Sequence, residues 1–334
     1  MVEPEDNGLA GRPLLSSDDL SYDEIARLLV TAEHMRRRVA KGVLGNLEGK
    51  IIGRTIFERS TRTDLSFHAA TVRLGGDPLG GRFFDGDGSS GGKGESDEDA
   101  FRTVAGYSDL MIVRHKLPDF VKTFCPSVYD KPIINAGNGS DEHPTQTLLD
   151  WLAITRELGC LNNPSKPDFG RLRGRKLALC GDLRYGRTVT GNLIFAKHFG
   201  VDIILASPDE LAYPKTPPVE PIFTTNSLSK ALAECDIIYM TRVQRERFGP
   251  DEEALYNKVA GEFILNLAMY EELFHPHLDE GPLILHPMPR FKDKCEIDPD
   301  LDKLKQAAYF RQSAGGVFAR MSLLAHLMGV QNKI

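Results

Sequence analysis

Ile25, Leu28, Leu29 and Ala32 fall on one face of a 3.6-residue repeat, and Ser21-Tyr22-Asp23-Glu24 ahead of them has the form of a capping box. The spacing therefore predicts a helix from Tyr22 to about Lys41, stopped by Gly42. The apolar run at 51–57 is short enough for a buried strand, helical spacing follows over 64–74, and further apolar stretches lie at 110–113 and 132–134. A helical pattern over 151–158 runs into Asn162-Asn163-Pro164-Ser165-Lys166-Pro167, which cannot extend a helix and marks a boundary. Beyond it the pattern predicts strands at 176–180, 202–205, 236–240 and 283–285, with helices at 189–199 and 227–233. An amphipathic segment over 317–328 closes the chain. Strands alternating with helices predict an α/β protein with two doubly wound domains, each a mainly parallel sheet flanked by helices.

In such sheets the chemistry sits at the carboxyl ends of strands, so the loops there are the places to look. After the 51–57 run comes Phe57-Glu58-Arg59-Ser60-Thr61-Arg62-Thr63: hydroxyls and a planar cation just where a helix begins, which suits a phosphate. The alternative is that Ser60-Thr61-Arg62-Thr63 only caps a surface helix. The glycine-rich run Gly88-Ser89-Ser90-Gly91-Gly92-Lys93-Gly94 invites a nucleotide-loop reading but fails it. A P-loop needs Gly and Ser/Thr where this chain has Asp87 and Gly94. Gly137-Asn138-Gly139 lacks the third glycine of a dinucleotide fingerprint, and Gly181 to Gly186 has the wrong spacing.

The 334 residues suffice for two domains with buried cores, and 41% hydrophobic with 26% charged residues is the balance of a soluble globular protein. A net charge of −6 gives no general attraction to nucleic acid, and no apolar run approaches the ~20 residues of a membrane span. Cys125, Cys160, Cys180, Cys235 and Cys295 are odd in number, with no Cys-x-x-Cys pair, which predicts reduced, buried thiols rather than disulfides. No metal site and no cofactor motif is legible. The acidic start Met1-Val2-Glu3-Pro4-Glu5-Asp6 lacks signal-peptide features, so the expected location is the cytoplasm, with the first dozen residues a flexible leader.

Taken in order, Ser60-Thr61-Arg62-Thr63, Ser89-Ser90-Gly91-Gly92-Lys93, Met111-Ile112-Val113-Arg114-His115 and Glu142-His143-Pro144-Thr145-Gln146 resemble the carbamoyl phosphate half of the aspartate/ornithine carbamoyltransferase family. The second half, with Gly181-Asp182-Leu183-Arg184-Tyr185-Gly186-Arg187-Thr188, Tyr239-Met240-Thr241-Arg242-Val243-Gln244 and His286-Pro287-Met288-Pro289-Arg290, is similar to the aspartate branch. The ornithine branch typically carries a Cys in the segment of His286-Pro287-Met288-Pro289. The resemblance covers roughly residues 15 to 330.

It implies a carbamoyl phosphate domain of residues 1–150 plus 311–334, an aspartate domain of 151–310, and an active site between domains and at a subunit interface. It further implies that Ser60, Thr61, Arg62, Thr63 and Arg114 hold the phosphate, while Thr63, Arg62 and His143 stabilise the carbonyl oxygen as charge builds on it. His143 has two other readings, a core histidine or a general base. Gln146, with backbone carbonyls near Pro287 and Met288, orients the carbamoyl group and the amine. Arg187, Arg242, Gln244 and Lys93 grip the two carboxylates of L-aspartate, where either arginine alone reads equally well as a surface residue. Ser89 and Lys93 act from the neighbouring subunit, which makes a homotrimer the active unit and leaves any regulatory or pathway-enzyme partner open. Arg59, Asp64, Lys116 and Thr190-Gly191 depart from the family pattern; Asp64 in particular puts a carboxylate beside the phosphate loop. The rival readings are transfer to another amino acid and an inactive anion-binding paralogue.

Overall fold

The structure, a computed structural model, describes residues 8–39, 45–81, 93–292 and 295–331. The chain divides into two compact units. One holds the described residues up to Leu152, with Asn163–Lys166 and those from Gly315 onward; the other holds Ala153–Asn162 and Pro167–Ala314.

The first unit contains helix α1 (Tyr22–Val39), strand β1 (Ile51–Ile56), helix α2 (Thr61–Arg73), strand β2 (Asp77–Gly81), helix α3 (Asp97–Gly106), strand β3 (Leu110–His115), the short helix α4 (Cys125–Val128), strand β4 (Ile133–Asn138) and the start of helix α5 (Pro144–Glu157). The capping box of α1 is formed, with Ser21 N–H donating to Glu24 Oε2 at 2.8 Å and Glu24 N–H to Ser21 Oγ at 3.4 Å. The predicted stop of this helix lies outside the described residues. The strands pair in the order β2-β1-β3-β4, all parallel. Every residue of β3 and β4 is buried, as expected of parallel strands covered on both faces. Phe101, Phe120, Val121 and Cys125 pack on Met111 and Val113.

In the second unit the order is strand β5 (Lys176–Cys180), helix α6 (Val189–Phe199), strands β6 (Asp202–Ala206) and β7 (Phe223–Thr225), helix α7 (Leu228–Glu234), strand β8 (Ile237–Met240), helices α8 (Glu253–Val259) and α9 (Leu267–Phe274), and strand β9 (Leu283–Leu285). Helix α10 (Tyr309–Leu327) follows, and from Gly315 it belongs to the first unit. There Ser322 Oγ donates to the Leu28 carbonyl of α1 at 2.8 Å. The second sheet is also wholly parallel, in the order β7-β6-β5-β8-β9. The expectation of an α/β protein with two parallel sheets is met.

Three helices begin earlier than the periodicity predicts: α2 at Thr61 rather than Asp64, α5 at Pro144 rather than Trp151, and α10 at Tyr309 rather than Val317. Each early turn is polar or glycine-containing, which erases the apolar repeat without opposing the helix. The thiol expectation is corrected in part. All five cysteines are free, but Cys235 and Cys295 are only half-buried, while Cys125, Cys160 and Cys180 are buried. Burial pushes the Cys160 thiol up to about 11, so it is no nucleophile at neutral pH. No helix among the described residues is long and apolar enough to cross a membrane.

Candidate active site

Strand β1 ends at Ile56 and delivers the chain into the first turn of α2 with Ser60 at the N-cap. Ser60 does not cap the helix. Its hydroxyl donates to Thr63 Oγ1 at 2.9 Å, so the surface-cap reading of this motif lacks the bond it needs. Thr63 in turn lies 3.4 Å from His143 Nε2, and Thr145 Oγ1 lies 3.4 Å from His143 Nδ1. Thr63 and His143 are each 5% exposed, while Thr61 and Arg62 are exposed on the same turn. This places hydroxyls, a guanidinium and an imidazole around a helix N-terminus, where the macrodipole and main-chain N–H groups favour an anion.

Arg114 reaches the same loop from the end of β3. Its Nε donates to the Glu58 carbonyl at 3.1 Å and Nη1 to the Ala136 carbonyl at 3.0 Å, with Nη2 3.4 Å from the Glu58 carboxylate. These bonds fix a planar cation two residues before Ser60. His143 stands directly ahead of α5, whose Pro144 suits the first helical position. Glu142 just before it is anchored by Ser17 N–H at 2.8 Å and Ser16 Oγ at 2.8 Å. Gln146 donates its amide to Asp150 Oδ1 at 2.8 Å, which leaves its carbonyl oxygen as the acceptor end. Lys93 is exposed, and Ser89 lies outside the described residues.

The second unit gathers its own set at the carboxyl ends of β5 and β8. Gly181 sits at φ +100° with the Thr241 carbonyl 2.5 Å from where a Cβ would stand, so only glycine lets the two strand ends approach this closely. Asp182, fully buried, accepts from Tyr185 N–H at 2.9 Å and Gln244 N–H at 3.3 Å, and the Gln244 side chain donates to the Tyr185 carbonyl at 2.8 Å. The loop bearing Arg187 is thereby tied to the loop bearing Arg242 and Gln244. Burial pushes the Asp182 carboxyl up, while those N–H groups and the Arg242 charge oppose that rise. Arg242 lies over the Phe291 ring at 5.6 Å. A separate cavity of about 560 Å³, lined by Ser207, Asp209, Tyr213 and Lys215, contains none of the expected site residues.

Pro287 and Met288 are held by a buried relay that the motif reading missed. Met288, at φ 55°, donates its N–H to His286 Nδ1 at 2.8 Å, and His286 Nε2 is 2.9 Å from Glu296 Oε1. Burial pushes the His286 pKa down, so the neutral ring accepts at Nδ1 and donates from Nε2 to the carboxylate. Although burial of Glu296 acts to raise its pKa, hydrogen bonds from His286 and from Phe291 N–H hold it below the ordinary value. Asp182 had one signal in the sequence, an acid just after an apolar strand run, and that signal names no role; Glu296 lies in a polar loop and had none.

The relay has a pH consequence. Both shifts are downward, so the unfolded chain binds protons that the folded chain excludes. The stability is present above the ordinary histidine pKa of 6.5 and is lost as pH falls below it. His326, pushed down to about 4 by burial, acts in the same direction. The thermal midpoint is therefore expected to fall from pH 7 to pH 5. In His286→Asn it is expected to fall less over that interval, after an initial loss at pH 7 of about 1.5–3 kcal/mol for a buried bond to a charged group.

Comparisons with known proteins match both halves of the chain. The model of the aspartate/ornithine carbamoyltransferase carbamoyl-P binding domain matches residues 12–156, and that of the Asp/Orn binding domain matches residues 173–327. The aspartate carbamoyltransferase catalytic subunit of Thermococcus kodakarensis is 39% identical, over 96% of this chain and 98% of that protein. That of Methanopyrus kandleri is 38% identical, over 97% and 99%. Among solved structures, aspartate transcarbamoylase from Trypanosoma cruzi in complex with N-(phosphonacetyl)-L-aspartic acid superposes with a TM-score of 0.82 at 35% identity, covering 96% of this chain and 97% of that one. The same enzyme with carbamoyl phosphate and aspartate gives 0.81 at 34%, covering 96% of each. The catalytic subunit of the M. jannaschii enzyme gives 0.78 at 36%, over 95% and 98%. On both halves and over nearly its whole length, the chain belongs to the aspartate/ornithine carbamoyltransferase family.

Proposed function

We propose that the chain is an aspartate carbamoyltransferase, making N-carbamoyl-L-aspartate and phosphate from carbamoyl phosphate and L-aspartate. The observation that carries this reading is the presence of two sets in one chain: the hydroxyl, arginine and histidine cluster at α2, and the arginine-bearing loops joined through Asp182.

In the reaction the aspartate amine forms a C–N bond to the carbamoyl carbon, the C–O bond to phosphate breaks, and the departing phosphate takes the amine proton. Ser60, Thr61, Arg62, Thr63 and Arg114 bind the phosphate, Arg through paired N–H donors that a lysine does not offer. Thr63, Arg62 and His143 donate to the carbonyl oxygen as it gains charge. Gln146 takes the carbamoyl NH₂ through its carbonyl oxygen, in keeping with its amide donor being held by Asp150. Arg187, Arg242 and Gln244 bind the aspartate carboxylates, and backbone carbonyls near Pro287 and Met288 orient the amine. No covalent intermediate is needed. The rate gain comes from positioning, worth effective molarities of about 10⁵ M or more, and from donors already in place.

By this reading residues 1–150 with 311–334 serve carbamoyl phosphate and 151–310 serve aspartate. The active unit is a cytoplasmic homotrimer in which Ser89 and Lys93 complete a neighbour's site. Lys93→Ala and Arg242→Ala are then each expected to be nearly inactive with carbamoyl phosphate and L-aspartate. Mixing them through mild dissociation and reassembly is expected to restore activity, because hybrids contain sites free of both changes. Two inactive parents with an equally inactive mixture, despite verified subunit exchange, contradict the shared site.

A further inference from the structure

The carboxylate of Asp64 should work against phosphate binding, since it follows Thr63 directly in the first turn of α2. The structure pairs it with Arg54 of β1, whose Nε is 3.4 Å from Asp64 Oδ1. Both side chains are buried, Arg54 at 4% exposure and Asp64 at 7%. Arg54 Nη2 donates to the Gly80 carbonyl of β2 at 2.9 Å, so one guanidinium joins the strand on one side to the helix on the other. Among the described residues, Arg54 Nε and Nη1 have no hydrogen-bond partner. A packing residue would not spend a buried cation this way, because an apolar chain of the same length fills the space without the cost of desolvation.

Room for the pair comes from β2. A Cβ on Gly81, at φ +120°, would stand 3.0 Å from Arg54 Nη2 and 3.2 Å from Asp64 Oδ1. Burial lowers the Arg54 pKa against the opposing pull of Asp64, yet a guanidinium stays charged at any working pH.

We infer that Arg54 is a positioning residue for phosphate binding: it neutralises Asp64 and holds the first turn of α2 against β2, so that the carboxylate next to Thr63 does not repel the bound anion. The inference rests on the proposed function, since it takes the α2 turn as the phosphate site. It touches no reacting atom, and its effect falls on anion affinity rather than on the aspartate side.

The test is titration of inorganic phosphate and of carbamoyl phosphate into the full-length protein, alongside steady-state kinetics, for Arg54→Met, Asp64→Asn and the double variant. Arg54→Met, which removes the Arg54 cation from beside Asp64, is expected to weaken phosphate binding about tenfold or more, as a like charge with less compensation at close range does in a low-dielectric setting. Adding Asp64→Asn is expected to bring affinity back to within about threefold of the parent, and Asp64→Asn alone to bind phosphate at least as tightly as the parent. The KM for aspartate at saturating carbamoyl phosphate stays within about twofold throughout. Unchanged phosphate affinity in Arg54→Met overturns the inference, as does a double variant as weak as Arg54→Met, which marks Arg54 as packing only. If Arg54→Met does not fold, Asp64→Asn decides: weaker phosphate binding than the parent overturns the inference. Absence of carbamoyl transfer by the parent chain is the separate failure of the functional reading and shows in the same kinetic runs.

Discussion

Replacing Arg62 with alanine is expected to lower kcat by about 10³-fold, the scale of losing one preorganised donor at a developing oxyanion together with a phosphate ligand. Arg62 is the one cation that the sequence of α2 places in its first turn, between Thr61 and Thr63. A guanidinium there can give one N–H to phosphate and another to the carbonyl oxygen, and a lysine cannot serve both in a fixed plane. Arg62→Lys is therefore expected to recover little, within about tenfold of the alanine variant. The side chain is exposed in the chain, so the thermal midpoint of Arg62→Ala is expected to stay within about 2 °C of the parent. Steady-state kinetics beside a thermal scan separates the two effects. A variant retaining more than about a tenth of parental kcat is incompatible with the role assigned to Arg62.

Arg242→Ala is expected to strike the other substrate. A charge-assisted, paired bond to a carboxylate is worth about 2–4 kcal/mol, so kcat/KM for aspartate should fall by roughly 30- to 1000-fold. Carbamoyl phosphate affinity, measured by equilibrium dialysis without aspartate, is expected to change by less than about threefold, because the residues proposed to bind phosphate belong to the first unit and Arg242 to the second. The stacking of Arg242 on Phe291 predicts partial retention of activity in Arg242→Lys, which keeps the charge and loses the planar contact. A large loss of carbamoyl phosphate binding in Arg242→Ala contradicts this division of labour.

Where the sequence was misleading, it was so for a reason tied to function. The periodic apolar signal begins late in α2 because Thr61-Arg62-Thr63 occupies the first turn, and late in α5 because Pro144-Thr145-Gln146-Thr147 does. Thr145 and Thr147 are buried polar residues, which a hydrophobicity pattern scores as surface. The candidate ligands lie in those turns, so motif reading found them where periodicity did not. Strands β5 and β9 were legible to the residue because each has an apolar core with sharp ends, Lys176 opening the apolar 177–180 run of β5 and β9 being Leu-Ile-Leu throughout. Strand β2 was not, since Asp77-Pro78-Leu79-Gly80-Gly81 has the composition of a turn and becomes a strand only through pairing with β1. The second layer behind the site was equally silent. The bonds that join Asp182 to Gln244, Glu296 to His286 and Arg54 to Asp64 are not i,i+3 or i,i+4 contacts, and no spacing rule predicts them. By sequence alone Asp64 reads as a carboxylate facing phosphate; its ion pair with Arg54 exists only in the fold.

The most direct test is carbamoyl transfer by the purified chain, supplied with carbamoyl phosphate and either L-aspartate or L-ornithine at equal concentration, with products separated and quantified. The arginine-bearing loops of the second unit predict N-carbamoyl-L-aspartate as the product and at least about 10³-fold lower kcat/KM with ornithine, whose side chain places a cation where a carboxylate is needed. Citrulline formation at a comparable rate, or phosphate binding with no transfer to either amino acid, contradicts the account.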